Sequence, residues 1–122
     1  MESEPTGSTP AGSTPSPGRP VRGSATGRPV MAALDLLGRR WTLRVIWELH
    51  RHGTPIGFRD LRRRCDDMSS SVLSTRLTEL READIAGQTP DGAWQLTTLG
   101  TDLVTAMGPL SEWSRVWAER RR

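Results

Sequence analysis

Side chains that could do covalent or metal chemistry are scarce in this chain. Cys65 is the single cysteine, so neither an internal disulfide framework nor a cysteine-cluster zinc site can be built. His50 and His52 are the two histidines. Residues two apart on a helix point to different sides, and two histidines alone do not close a metal site. There is no Ser/His/acid set in a workable order, no glycine-rich phosphate loop and no metal set. The chain is therefore expected to be no enzyme and to carry no cofactor and no metal. What remains is binding chemistry, carried by three groups of side chains.

The first group is a set of short hydroxyls. Ser70, Ser71, Ser74, Thr75 and Thr78 recur on one face of a helix, opposite the stripe Leu73, Leu77 and Leu80. Solvent faces usually carry long charged side chains. Short donors and acceptors instead let a helix sit deep in a groove and reach base edges and phosphates. A plain solvated face is the alternative reading.

The second group is cationic. All 17 basic residues are arginine, against 14 acids, for a net charge of +3. A balance that small does not by itself make a nucleic-acid binder. Arg59, Arg62, Arg63 and Arg64 are the densest cluster, and they either neutralise phosphates or form a solvated face offset by Asp66 and Asp67. Arg76, beside the leucine stripe, either braces a phosphate or pairs with Glu79 or Asp60. These guanidiniums also stand close enough in sequence to lower the Cys65 pKa, although a half-buried structural thiol is the duller reading.

The third group is aromatic. Trp41, Trp47, Trp113 and Trp117 are more indole than a core of this size needs. They either pack a dimer interface or line an aromatic pocket at it, and the two readings can coexist.

The elements that must hold these groups fit one small domain, since the chain has 122 residues. Residues 1–29 are dominated by Pro, Gly, Ser and Thr, with the repeated tetrad Gly-Ser-Thr-Pro at 7–10 and 12–15. They read as a disordered tail, passive or touching phosphates through Arg19, Arg22 and Arg28. Residues 30–122 read as the folded domain. Val30, Ala33, Leu34 and Leu37 predict a short helix stopped by Gly38. A second, unusually apolar helix runs over 41–51 and closes at Gly53. Residues 54–58 are extended. A third helix covers 59–64, and Ser69 caps a fourth over 70–83. Two short strands, 85–89 and 93–96, flank Pro90-Asp91-Gly92, a strong hairpin signal. Thr97 caps a last helix over 98–120, which Pro109 must kink or split. Its stripe is Leu99, Leu103, Met107, Leu110, Trp113 and Trp117. The fold class is α+β, mostly helical: a winged helix-turn-helix, with a two-stranded wing and N- and C-terminal helices for dimerisation. Apolar runs are too short to cross a bilayer, and residues 1–29 have no apolar segment of signal-peptide type, so the cytoplasm is expected.

Four segments carry a resemblance. The run Ala33-Leu34-Asp35-Leu36-Leu37-Gly38-Arg39-Arg40-Trp41-Thr42-Leu43 resembles the opening ALDLIGGKWTLLIL of HxlR-type transcriptional regulators, relatives of the MarR group. Phe58 to Arg63 resembles their F-S-E-L-R-R segment. Met68-Ser69 with Val72 to Leu80 resembles their recognition helix, and Leu96-Thr97-Thr98-Leu99-Gly100 resembles the L-T-E-L-G after their wing. The pieces follow in order across about residues 29–117.

The resemblance implies a dimeric, sequence-specific regulator of double-stranded DNA. It also leaves room for an aromatic small-molecule effector at the dimer interface, against Trp41, Trp47, Trp113 and Trp117. A winged-helix interaction or ligand-binding module with weak or no DNA binding is the alternative, favoured by a wing without arginine. Redox-sensing members carry a cysteine before the first helix. Arg28 stands near that position here, which implies a regulator that is not a cysteine switch.

Overall fold

The computed structural model describes residues 14–121. Six helices and one hairpin follow in the order α1 (Pro29–Leu37), α2 (Thr42–His52), α3 (Phe58–Arg64), α4 (Ser70–Glu82), β1 (Ala86–Gln88), β2 (Trp94–Leu96), α5 (Thr98–Ala106) and α6 (Gly108–Arg120). The strands pair antiparallel in the register Ala86↔Leu96, Gly87↔Gln95 and Gln88↔Trp94. This is the winged helix-turn-helix arrangement, with α3 and α4 as the helix pair and β1–β2 as the wing.

The core is made where α2, α3 and α4 converge. Val45 and Ile46 from α2, Leu61 from α3, and Leu73, Leu77 and Leu80 from α4 are all essentially fully buried. The leucines of α4 sit at i, i+4 and i+7, so one stripe meets the core and leaves the hydroxyl face outside. The wing joins this core through Trp94. Its backbone N–H donates to the Ile56 carbonyl at 2.7 Å, and the Ile56 N–H returns a bond to the Trp94 carbonyl at 2.9 Å. The extended segment before α3 thus acts as a third rung beside the hairpin.

Caps set the element ends. The Ser69 side chain accepts from the Val72 N–H at 3.4 Å, opening α4. Gly53 closes α2 in the left-handed region at φ 76°. Asp84 holds φ 61° and turns the chain from α4 into the wing. A short polar side chain is among the few that tolerate this region. The last helical stretch is split, as Pro109 requires: α5 ends at Ala106, and α6 starts at Gly108 with the proline in its first turn.

Two expectations are corrected. Residues 1–13 of the expected tail lie outside the described residues. Residues 14–28, however, form closed turns against α1. Gly18 donates to the Gly27 carbonyl at 2.9 Å, and Val21 and Ser24 exchange bonds of 2.9 and 3.0 Å. Val21 is fully buried. A Cβ on Gly27, at φ +71°, would lie 2.1 Å from the Arg19 carbonyl oxygen, so this glycine makes a tight turn rather than a flexible one.

The second correction concerns which faces are covered. In α1 the buried pair is Ala32 and Leu36, whereas Val30 and Leu34 are mostly exposed. The helix is apolar nearly all round, so periodicity alone could not choose its inner face. In the last stretch Gly100 is buried, Leu103, Val104 and Met107 are partly buried, and α6 has no buried residue at all.

Gly100 fixes how closely α5 approaches the wing: a Cβ there would meet the Ile85 carbonyl oxygen at 2.1 Å. Gly100→Ala is expected to lower unfolding stability by about 1–3 kcal/mol, the usual cost of forcing an extra group into a packed site. Gly108→Ala, with open space around the added atom, is expected to be neutral or slightly stabilising. Urea denaturation of both variants checks the contrast.

Candidate nucleic-acid interface

The hydroxyl face of α4 is assembled as the spacing requires. Ser70, Ser71, Ser74 and Thr75 are exposed and Thr78 is half-buried. Their hydrogen bonds are local. Thr75 Oγ1 donates to the Ser71 carbonyl and Thr78 Oγ1 to the Ser74 carbonyl, each at 3.0 Å. The Ser69 and Ser71 hydroxyls lie 3.0 Å apart. With its proton directed to the backbone, the exposed Thr75 hydroxyl offers its oxygen lone pairs rather than a donor. Such a surface can accept from a base amino group or lie against a thymine methyl.

This helix is held by a buried carboxylate. Glu79 is only 5% exposed. It is paired by Arg39, from the link between α1 and α2, at 2.5 Å and by Arg76 at 2.6 Å. Of the alternatives open for Arg76, the structure therefore places the Glu79 pair. At the other end, Arg81 donates to Gln88 Oε1 at 2.9 Å, and its guanidinium carbon lies 5.8 Å from the Trp94 ring centre. The end of α4 is thereby tied to the wing.

The arginine cluster of α3 is less free than its sequence suggests. Arg62 Nε donates to the Met68 carbonyl at 2.6 Å, bracing the turn into α4. Arg63 pairs with Asp60 at 2.8 Å, both on the surface. Arg64 lies 3.3 Å from Glu48. Glu48 also takes Arg44 at 2.9 Å, and Arg44 reaches Asp66 at 3.0 Å. Those bonds raise the Arg44 pKa, with Glu48 the main cause and Asp66 next. Arg59 is exposed and forms no ion pair with a described residue. Sequence reasoning missed the Glu48 network. Arg44 and Glu48 at i, i+4 were a readable signal; Arg39 against Glu79, forty residues apart, was not.

The wing tip is acidic. Asp91 accepts from the Thr89 hydroxyl, and this bond, ahead of its backbone contacts, holds the Asp91 pKa below the usual carboxylate value. The tryptophans divide. Trp113 and Trp117 stack on α6 with ring centres 5.6 Å apart, and they are 57% and 55% exposed. Trp47 is also exposed and pairs with His50 at 5.5 Å, while Trp41 packs partly buried against the core. Trp94, absent from the sequence-based aromatic set, is the buried one.

Cys65 is fully buried among core residues. Burial pushes its thiol up to about 11, outweighing the nearby Arg44 and Arg64. The notion that arginines lower this pKa is thus corrected: desolvation of the thiolate dominates. Among the described residues no group of His, Cys, Asp and Glu could hold a metal, and no helix is long and apolar enough to cross a membrane.

The raised thiol pKa has a definite sign. Between the ordinary value of 9.0 and about 11, the unfolded chain has lost the proton and the folded chain keeps it. Stability is therefore present in full below pH 9 and falls as pH rises toward 11. The expected loss is on the order of 2 kcal/mol, and Cys65→Ala should flatten that part of the profile. Chemical denaturation at a series of pH values checks this. In the native state, thiol reagents should label Cys65 slowly.

The chain matches the family model for HxlR-like helix-turn-helix proteins over residues 36–122. No curated protein matches it. Among solved structures it is similar to quinone-bound YodB from B. subtilis, at 26% identity, covering 75% of this chain and 96% of that one with a TM-score of 0.60. A possible HxlR family transcriptional factor from Thermoplasma volcanium GSS1 is 26% identical, over 75% of this chain and 85% of that one, TM-score 0.63. A MarR-family regulator from Enterococcus faecalis V583 shares the fold at 22% identity, over 76% and 88%, TM-score 0.67.

Proposed function

The chain belongs to the HxlR-like helix-turn-helix family, and we propose that within it the chain is a dimeric, sequence-specific regulator that binds double-stranded DNA. The observation that carries this reading is the exposed Ser/Thr face of α4, on a helix whose opposite stripe is wholly buried. In this reading α4 lies in the major groove. Ser70, Ser71, Ser74 and Thr75 make base and near-phosphate contacts, and Thr78 lies at the margin. Arg59 and Arg63 neutralise phosphates. Arg62 and Arg76 work mainly from behind, through the turn and through Glu79.

A second copy is the proposed cover for α6 and for the exposed side of α1. Leu110, Trp113 and Trp117 on α6, and Val30 and Leu34 on α1, are each more than half exposed. A lone chain gains nothing from holding them in water. Two copies related by a two-fold axis would set their α4 helices about one DNA turn apart, roughly 34–36 Å. The likeness to YodB, which is named as quinone-bound, supports a small planar effector; an aromatic one at that interface, against Trp41, Trp47, Trp113 and Trp117, is part of the same proposal. The buried, weakly acidic Cys65 speaks for control that does not run through the thiol. The acidic wing tip favours the second reading, an interaction module that has lost DNA.

Selection of bound duplexes from a random pool, followed by salt titration of the best site, separates the two. Ser74→Glu or Thr75→Glu is expected to abolish specific binding by like-charge repulsion. Arg63→Ala is expected to weaken all duplexes alike and to reduce the salt slope by about one. A stable dimer that selects no duplex at low salt establishes the module instead. Sedimentation at tens of micromolar tests the dimer itself.

A further inference from the structure

A cavity of about 910 Å³ is walled by the N-terminal turns, α1, the end of α4 and α5. That is the size of a pocket for a small organic ligand, roughly 300–1,000 Å³. None of the four tryptophans discussed above lines it. Its floor is apolar and backed by the core: Ala32, Leu36, Ile85 and Leu103 contribute to it. Leu99 also lines it and is 55% exposed, an apolar side chain that the chain's own packing leaves open to water. Around this floor stand Glu82, Asp84 and Asp102, and Arg19 is the one cation among the described lining residues. Glu82 accepts from the Thr14 hydroxyl. Neither Asp84 nor Asp102 forms an ion pair with a described residue, so among these residues their charge is not neutralised by a direct partner.

We infer that this cavity binds an organic cation with an apolar body. Three carboxylates against one guanidinium set a negative potential, and the low-dielectric wall beside them focuses it. An inorganic cation keeps its hydration shell and gains nothing from Leu99 and Leu103. An apolar anion gains the floor and is repelled at the rim. Only a weakly hydrated cation satisfies both. On α1 the lining residues are Pro29, Ala32, Ala33 and Leu36, whereas the exposed Val30 and Leu34 do not line the cavity. Glu82 and Asp84 lie at the C-terminal end of α4, which places an occupant against that helix. The site stands whether or not the chain binds DNA.

Tetraphenylphosphonium and tetraphenylborate have nearly the same shape and opposite charge, and calorimetric titration of each into the full chain tests the site. Saturable binding of the phosphonium, one per chain, with no comparable binding of the borate, is the expected result. Asp84→Asn together with Asp102→Asn should weaken the phosphonium about tenfold, as removal of two partly screened charges requires. Asparagine tolerates the left-handed backbone at position 84, and circular dichroism confirms that the variant is folded. Trp113→Ala with Trp117→Ala should leave the affinity unchanged. Equal binding of the borate, an unaffected asparagine variant, loss of binding in the tryptophan variant, or no saturation by the phosphonium would each overturn the inference. The comparison of the two ions uses the unaltered chain, so it decides even if a variant misfolds.

Discussion

The presentation of α4 depends on one buried carboxylate. Taking Glu79 out of water costs several kcal/mol unless cations meet it at close range. Two do: Arg76 from one turn earlier in the same helix, and Arg39 from the link after α1. The pair within the helix stiffens α4. The pair across the fold ties α4 to the link between α1 and α2. Leucine packing alone would tolerate small rotations, since side chains of similar volume can trade places in a core. A charged pair with defined distances is less forgiving.

Much of the fold was legible because the signals were local. Ser69 before α4, Thr97 before α5, Asp91-Gly92 in the hairpin and Pro109 between α5 and α6 each act on the few residues around them. Their element bounds agree to within a few residues. The illegible parts depend on what is absent from a local window. Both faces of α1 are apolar, so period 3.6 predicts a helix and says nothing of which side meets the core. The turns of 14–28 look disordered by composition, yet Val21 is an anchor and Gly27 a turn-former. In the same way, an arginine run reads as a cationic patch when its partners, Glu48 and Met68, are far away in sequence or are backbone atoms. The hydroxyl face of α4 was fully legible, because the leucine stripe behind it fixes its direction.

The α6 helix poses a different problem. Thirteen residues carry two stacked indoles and a leucine on a helix with none of its residues buried. Its own surface chemistry, Arg115 with Glu112 and Glu119 at 2.6 Å each, raises the Arg115 pKa, mainly through Glu112. Exposed pairs of this kind are screened by water and salt and add little. An isolated helix of this length is marginal in water. The helix is therefore held in place either by its short link to α5 or by an external cover. Apolar area of this size favours the cover, since burying each large side chain is worth about 1.5–3 kcal/mol.

The same accounting changes the meaning of the net charge. Seventeen arginines suggest a strongly attractive surface for phosphates. Yet Arg39, Arg44, Arg64 and Arg76 are spent on the two buried carboxylates Glu79 and Glu48, and Arg62 is spent on a backbone carbonyl. Arg63 is shared with Asp60, and the wing contributes an acid rather than a cation. Long-range attraction to a polyanion scales with the charges left free to displace counterions. Arginines spent as internal braces are not free to add to that attraction. On α4 the short hydroxyls of Ser70, Ser71, Ser74 and Thr75 stay at the surface, on a helix held from behind by the Glu79 pairs.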